Sequence, residues 1–224
     1  MPTMDPHMLK PLTGLLLSYL LGSIPTAYLF GRGRGIDLRQ HGSGNLGATN
    51  AFRVLGKRTG TIVLCLDILK GALAVLLAIN LFYETGAGIS PSLYACLAAV
   101  CVVGGHNWTV FLRFKGGKGI ATSLGVLIAF SVLIEKFGLL VLIAVGLWLI
   151  VFLSSGFVSL ASCVSSLALP FLGLALKLPS SITVFLTILA AFSLIRHREN
   201  IRKLLQKRES RFNTASLFKK LFRK

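Results

Sequence analysis

The chain has 224 residues, 54% of them hydrophobic and only 14% charged, with a mean hydropathy of +0.77 and a net charge of +17. A soluble domain carries roughly 25% charged residues, so the composition excludes an ordinary globular protein and points to a polytopic membrane protein. The basic surplus would suggest a nucleic-acid binder in a soluble chain, but in a membrane protein it marks cytoplasmic loops.

An apolar run of about 17–25 residues crosses a bilayer as a helix. The chain offers seven: roughly 12–30, 61–82, 90–112, 119–134, 137–154, 157–176 and 180–196. Only Glu135-Lys136 divides the fourth from the fifth, and only Ser154-Ser155-Gly156 the fifth from the sixth. Five spans result if two of these merge or re-enter. Lys10 precedes a long apolar run without a small-residue cleavage site, so no cleavable signal peptide is expected. Cys65, Cys96, Cys101 and Cys163 all fall inside apolar runs, without C-x-x-C or metal-ligand spacing; they read as small hydrophobes, with no metal site expected.

The placement of the Lys and Arg residues tests the seven-span count. The loop 31–60 carries Arg32, Arg34, Arg39, Arg53, Lys57 and Arg58; the loop near 113–118 carries Arg113, Lys115 and Lys118; the tail from 196 carries eleven. Alternate compartments receive 20 and 3 of the 24, with Lys70 inside the second span. By the positive-inside rule the N-terminus lies outside, and both basic loops and the tail face the cytoplasm. Insertion bias accounts for the charge, so no nucleic-acid partner is expected. In the tail, Ile201, Leu204, Leu205, Phe212, Leu217, Phe218, Leu221 and Phe222 alternate with basic residues, as in a helix lying on the anionic inner leaflet.

Gly42, Gly44 and Gly47 spell G-x-G-x-x-G, the dinucleotide-binding pattern, with Asp67 twenty residues beyond. That fingerprint needs a βαβ unit around it. Here it follows a membrane span, and Asp67 falls in the next one, so the match is accidental. What remains within 41–53 is Ser43, Asn45, Thr49, Asn50 and Arg53, interspersed with glycines. Such a loop either caps two helices or presents amides, hydroxyls and a guanidinium to an anion.

GGHNWTVFLRFKGGKGIATS, residues 104–123, ends one span and enters the next through Lys115-Gly116-Gly117-Lys118-Gly119. It is not a Walker A loop, because Leu112 stands where the first glycine belongs. Glycines, a following helix N-terminus and two lysines nevertheless supply the physical parts of a phosphate site. The third cluster is IRHRENIRKLL, 195–205, where His197 and Asn200 share a helix face and the imidazole suits proton transfer near neutral pH. One topology puts all three clusters on the cytoplasmic side.

LGSIPTAYLFGR (21–32), SGNLGATNAFR (43–53), DILKG (67–71), GHNW…FKGGKG (105–119) and HRENIRKLL (197–205), in this order and spacing, resemble the bacterial acyl-phosphate:glycerol-3-phosphate acyltransferase family. The resemblance covers nearly the whole chain. It implies an all-helical membrane fold in one domain, 1–224, and no cofactor. It implies transfer of an acyl group from acyl phosphate to the sn-1 hydroxyl of glycerol 3-phosphate, giving lysophosphatidic acid and phosphate. It also implies contact with the soluble enzyme that supplies acyl phosphate. Carried over residue by residue, it makes Ser43, Arg53, His197 and Asn200 catalytic. Asn45, Thr49, Asn50, Lys115, Gly116, Gly117, Lys118, Gly119 and Ser159 become substrate-binding. Glu209 matches a family Glu of more structural role, but Lys207 stands where the family usually has Gly. Either His197 or the departing phosphate accepts the hydroxyl proton.

Two other acyltransferase signatures are absent. Five residues beyond His7, His41, His106 and His197 stand Leu12, Leu46, Phe111 and Arg202, so there is no H-x-x-x-x-D dyad, and no G-x-S-x-G elbow occurs. The rival reading is a small transporter for an anionic phosphorylated solute. It draws on Asp67 and Lys70 inside the second span, since intramembrane charges mark function. Their spacing of three equally allows a structural ion pair.

Overall fold

The computed structural model describes residues 6–212, and those residues form helices and connecting turns with no β-strand among them. In chain order they are α1 (Pro6–Ser23), α2 (Thr26–Arg32), α3 (Ala48–Leu55), α4 (Lys57–Leu77), α5 (Pro91–Asn107), α6 (Ile120–Leu133), α7 (Phe137–Ser155), α8 (Val158–Ala175) and α9 (Ser180–Leu205). α4 runs on through a π-helical turn, Ala78–Phe82.

Each of the seven apolar runs falls on a helix. Five helical stretches are long and apolar enough to cross a membrane: Lys57–Phe82, Pro91–Leu112, Phe137–Ser155, Val158–Ala175 and Ser180–Leu205. α1 and α2 make a sixth when taken as one span bent by 41°. The run at 119–134 forms α6, whose 14 residues measure about 21 Å, short of the ~30 Å hydrocarbon core. Outward faces are apolar: Leu142 and Ile150 of α7 and Phe171 of α8 are 72%, 67% and 67% exposed, as expected for side chains that meet lipid rather than water.

Helices in lipid gain little from burying apolar surface and associate through close packing. α4 and α6 touch backbone to backbone: a β-carbon on Gly71 would strike the Thr122 carbonyl, and one on Gly125 the Ile68 carbonyl. Farther along, Phe130 of α6 lies between Phe137 of α7 and Phe185 of α9, with ring centroids 5.3 and 5.1 Å apart.

Pro25 has no N–H and disfavours helix at the preceding residue, which breaks the first span and frees backbone acceptors. The Ile24 carbonyl is taken by Lys70 Nζ at 2.8 Å. Lys70 Nζ also pairs with Asp67 Oδ1 at 2.9 Å, and that oxygen accepts from Thr26 Oγ1 at 2.6 Å. His106 Nδ1 lies 3.6 Å from it. The intramembrane charges therefore stitch the broken span to α4 and α5, which is the structural alternative to transport. Lys70→Met leaves the Asp67 carboxylate buried without its cation, and a loss of about 3–5 kcal/mol is expected. It should be read as a lowered melting temperature in detergent, partly recovered in Asp67→Asn/Lys70→Met.

One end of the bundle gathers the start of α1, the turn after α4 and the start of α5. There His7 Nδ1 meets Glu84 Oε1 at 3.0 Å, and the Tyr94 hydroxyl donates to the Pro11 carbonyl at 2.9 Å. At the other end lie the α2–α3 and α5–α6 loops, the α7–α8 turn and the end of α9. α9 continues beyond the expected limit of 196 to Leu205, so HRENIRKLL extends the last span as helix. After Leu205 the chain turns and folds back across the α7–α8 turn, where the Phe212 amide donates to the Gly156 carbonyl at 2.9 Å. The surface helix expected from 201 onward is thus replaced through 212 by the end of α9 and a turn, and its residues from 213 lie outside those described.

Candidate active site

Three segments distant in sequence wall a cavity of about 490 Å³ at that end of the bundle. They are the α2–α3 loop with Arg39, Ser43 and Asn45, the α5–α6 loop with Lys115, Gly116 and Lys118, and the face of α9 bearing Arg196, Glu199, Asn200 and Lys203.

The first loop is held by a small apolar core of its own: Leu38, Leu46 and Ala51 bury against Ala27 of α2 and Val63 of α4. Asn50, 1% exposed, sets its shape. Its Oδ1 accepts from the Ser43 amide at 2.9 Å, and its Nδ2 donates to the Leu38 and His41 carbonyls at 3.2 and 3.0 Å. Gly42 and Gly44 take the left-handed conformation, and a β-carbon on Gly42 would collide with Asn50 Oδ1. The amide of Asn50 is thus spent on the loop, while Ser43 and Asn45 face the cavity. Asn45 lines the cavity, and its Oδ1 is buried with no hydrogen-bond donor among the described residues. Thr49 is half-buried on α3 and is not part of the cavity wall.

Arg53 points elsewhere. Its Nη2 is 3.5 Å from the Ser210 carbonyl and its Cζ lies 4.8 Å from the Phe212 ring centroid. It meets the returning chain, not the wall of the cavity. Arg39 takes a place on that wall instead, clamped by Asp37 (Nη2–Oδ2 2.6 Å), and the guanidinium holds the Asp37 carboxyl down to about 2.

In the second loop Arg113 and Phe114 adopt left-handed conformations and turn the chain back onto α5. The Gly116 and Gly117 amides donate to the Asn107 and His106 carbonyls at 3.2 and 2.9 Å. A β-carbon on Gly116 would strike the His106 carbonyl, and one on Gly117 the His106 ring, so these positions are glycine for close approach. Their amides are committed to α5, so the donors this loop has left are Lys118, on the cavity wall, and the N–H groups of the first turn of α6 after Gly119, which are not on that wall. Lys118 Nζ donates to Asn200 Oδ1 at 2.5 Å. Burial pushes its ammonium down to about 8, against the upward pull of the Glu209 carboxylate.

From Asn200 the contacts continue: Nδ2 donates to Glu209 Oε1 at 2.7 Å, and that oxygen accepts from Ser159 Oγ at 3.1 Å. Lys118, Asn200, Glu209 and Ser159 thus form one polar chain across four segments, with Ser159 behind Asn200 and off the cavity wall. Lys207, in the usual glycine position, takes the left-handed conformation at φ +56°. The turn that glycine favours is kept, and Glu209 reaches Asn200 through it. His197 is buried one helical turn before Ile201, its Nδ1 2.8 Å from the Ser193 carbonyl. It lies within electrostatic reach of Lys118.

Arg196, Glu199 and Lys203 escaped the sequence reading. Their spacing with Asn200, at 196, 199, 200 and 203, is one helical face, a signal that was available once 195–205 was known to be helix.

The glycerol-3-phosphate acyltransferase family model matches residues 12–207. A glycerol-3-phosphate acyltransferase of Thermoanaerobacter sp. (strain X514) is 42% identical over 205 residues, which cover 91% of this chain and 96% of that one. One of Geobacillus kaustophilus (strain HTA426) is 45% identical over 196 residues, covering 87% and 92%. The crystal structure of PlsY (YgiH), an integral membrane glycerol 3-phosphate acyltransferase, in its glycerol 3-phosphate form is similar with a TM-score of 0.81 at 37% identity, covering 95% of this chain and 99% of that one. Its lysophosphatidic acid form gives 0.79 at 36%, covering 92% and 96%.

Proposed function

The chain belongs to the glycerol-3-phosphate acyltransferase family, and from that premise we propose that it acylates the sn-1 hydroxyl of glycerol 3-phosphate with acyl phosphate as donor. The hydroxyl oxygen attacks the acyl carbon. The bond to the phosphate oxygen breaks, and lysophosphatidic acid and inorganic phosphate leave. Acyl phosphate is a mixed anhydride with a good leaving group, so the enzyme needs no covalent nucleophile. Its task is to bring two anions together in one orientation.

The observation that carries this reading is the cavity itself, where Lys115, Lys118, Arg196 and Lys203, with Arg39 already paired to Asp37, stand against one acid on the wall, Glu199. Lys118 and the start of α6 hold a substrate phosphate, Ser43 and Asn45 meet the glycerol hydroxyls, and Asn200 fixes the Lys118 ammonium. Arg53 holds the returning segment 210–212 close to the cavity mouth.

In the bacterial inner membrane we place seven crossings, with the N-terminus outside and the C-terminus cytoplasmic. α6 counts as a crossing because it starts at the basic end of the bundle and α7 returns to that end at Ser155, beside Arg211. The cavity then opens to the cytoplasm, where glycerol 3-phosphate and the soluble enzyme supplying acyl phosphate reside.

Detergent-purified protein given a saturated acyl phosphate and glycerol 3-phosphate is expected to form lysophosphatidic acid and phosphate in equal amounts, with no sealed compartment. Product from acyl-CoA or acyl carrier protein but not from acyl phosphate would overturn the donor. No product from any donor would overturn the reaction.

A further inference from the structure

Arg196 stands on the cavity wall with a geometry none of its neighbours share. Its Nε donates to the Gly117 carbonyl at 2.9 Å and its Nη2 to the Gly116 carbonyl at 2.8 Å. Its Cζ lies 5.8 Å from the Trp108 ring centroid. The amides of the same two glycines donate to α5. The glycine pair is therefore gripped through both of its polar groups, amides by α5 and carbonyls by α9, and its two glycines leave no side chain in the way. Arg39, the other guanidinium on the wall, is neutralised by Asp37. Among the described residues no carboxylate lies within ion-pair distance of Arg196.

A carbonyl oxygen carries partial negative charge, and two uncovered ones beside a phosphate would repel it through a medium less polar than water. A guanidinium has five N–H donors in one plane. Two cover the Gly116 and Gly117 carbonyls, and the full positive charge remains at the wall. A lysine could supply the charge but not the two-pronged grip. Fixing these carbonyls also fixes the peptide planes that lead into Lys118 and the first turn of α6.

Resting on the acyltransferase reading above, we infer that Arg196 is a positioning residue for glycerol 3-phosphate. It locks the Gly116–Gly117 turn so that Lys118 and the α6 N-terminus face the phosphate, and it masks the two carbonyls that would oppose the anion.

The test is steady-state kinetics of Arg196→Lys and Arg196→Ala in detergent, with melting temperatures measured alongside. The KM for glycerol 3-phosphate is expected to rise roughly tenfold in the lysine variant and roughly a hundredfold in the alanine variant, the scale of lost charge-assisted hydrogen bonds. Uniform loss of binding leaves kcat within about threefold. Guanidinium ion at tens of millimolar should restore roughly a tenth or more of the lost kcat/KM to Arg196→Ala and none to Lys118→Met, because only the first variant leaves a guanidinium-shaped gap. An unchanged KM in a folded Arg196→Lys overturns the inference, even should the alanine variant fail to fold. So does a lower melting temperature with wild-type kinetics, or a defect in Arg196→Ala that guanidinium leaves untouched. Wild-type protein is the control: if it makes no product the acyltransferase reading fails, whereas an active wild type matched by its variants removes Arg196 alone.

Discussion

Lys118→Met is expected to lower kcat/KM for glycerol 3-phosphate by about 10²–10³-fold, the loss seen when one donor is removed from a preorganised anion site. Lys118 is the cavity-wall ammonium whose orientation is fixed by a chain of side chains. Asn200 accepts from it at 2.5 Å, and Glu209 in turn accepts from Asn200 at 2.7 Å. Burial has brought its pKa down to about 8, and that depression gives the prediction a pH signature. A lysine is cationic below its pKa. In the free enzyme the positive charge is therefore present at neutral pH and lost as pH rises through about 8. The substrate phosphate, with a second pKa of about 6, stays dianionic over the same range. So kcat/KM, which reports the free enzyme, should fall above pH 8 by about tenfold per unit. A bound phosphate favours the charged ammonium and raises its pKa, so kcat should hold to higher pH. Lys118→Arg, which stays ionised, should move the basic limb upward in whatever activity it retains. A flat kcat/KM from pH 7 to 9.5 in the wild type would remove the Lys118 ammonium from phosphate binding.

Run lengths and charge placement made the helices legible, because lipid imposes the same requirement on every span: enough apolar residues and internally satisfied backbone. Composition does not show that the fourth run yields a helix of only 14 residues, packed on α4 through glycines. The site was half legible. Glycine and lysine at 115–119 announce a tight basic turn, and the structure provides one. Yet residue type says little about where a polar group spends its hydrogen bonds. Asn50 looks like a ligand in sequence, but its amide is consumed by Ser43, His41 and Leu38 within its own loop. Arg53 looks like an anion clamp in sequence; its guanidinium lies on Phe212, 159 residues further on, while within electrostatic reach of Lys118. Arg196 looks like an ordinary positive-inside residue, and its part emerges only when α9 brings it beside a loop 79 residues earlier. In each case the missing information is a contact between distant segments, which no local pattern encodes. Lys207 shows the converse. The sequence raised a doubt about the turn there, and the backbone answers it, since the lysine tolerates the left-handed conformation at φ +56° for about 1–2 kcal/mol.

His197→Gln separates the two proton acceptors that the chemistry allows. The Nδ1 atom lies 2.8 Å from the Ser193 carbonyl. A carbonyl only accepts, so Nδ1 carries the hydrogen and Nε2 is left with a free lone pair. That is the tautomer a general base at Nε2 needs, and the helix backbone selects it in the neutral ring without a carboxylate partner. His197 is 2% exposed, off the cavity wall and three residues from Asn200, so a base at Nε2 would act on a hydroxyl bound beside Asn200. Catalytic hydrogen bonds of this kind tighten only when substrate is bound. With His197 as base, the glutamine variant should lose about 10²–10⁴-fold in kcat while the KM for glycerol 3-phosphate changes by less than about fivefold. With the departing phosphate as acceptor, the transferred proton never visits the imidazole. The variant would then keep near-normal kcat and alter KM alone, and His197 would be reduced to a packing residue on α9. The expected outcome is the kcat loss, because His197 lies within electrostatic reach of Lys118 and shares a helix face with Asn200.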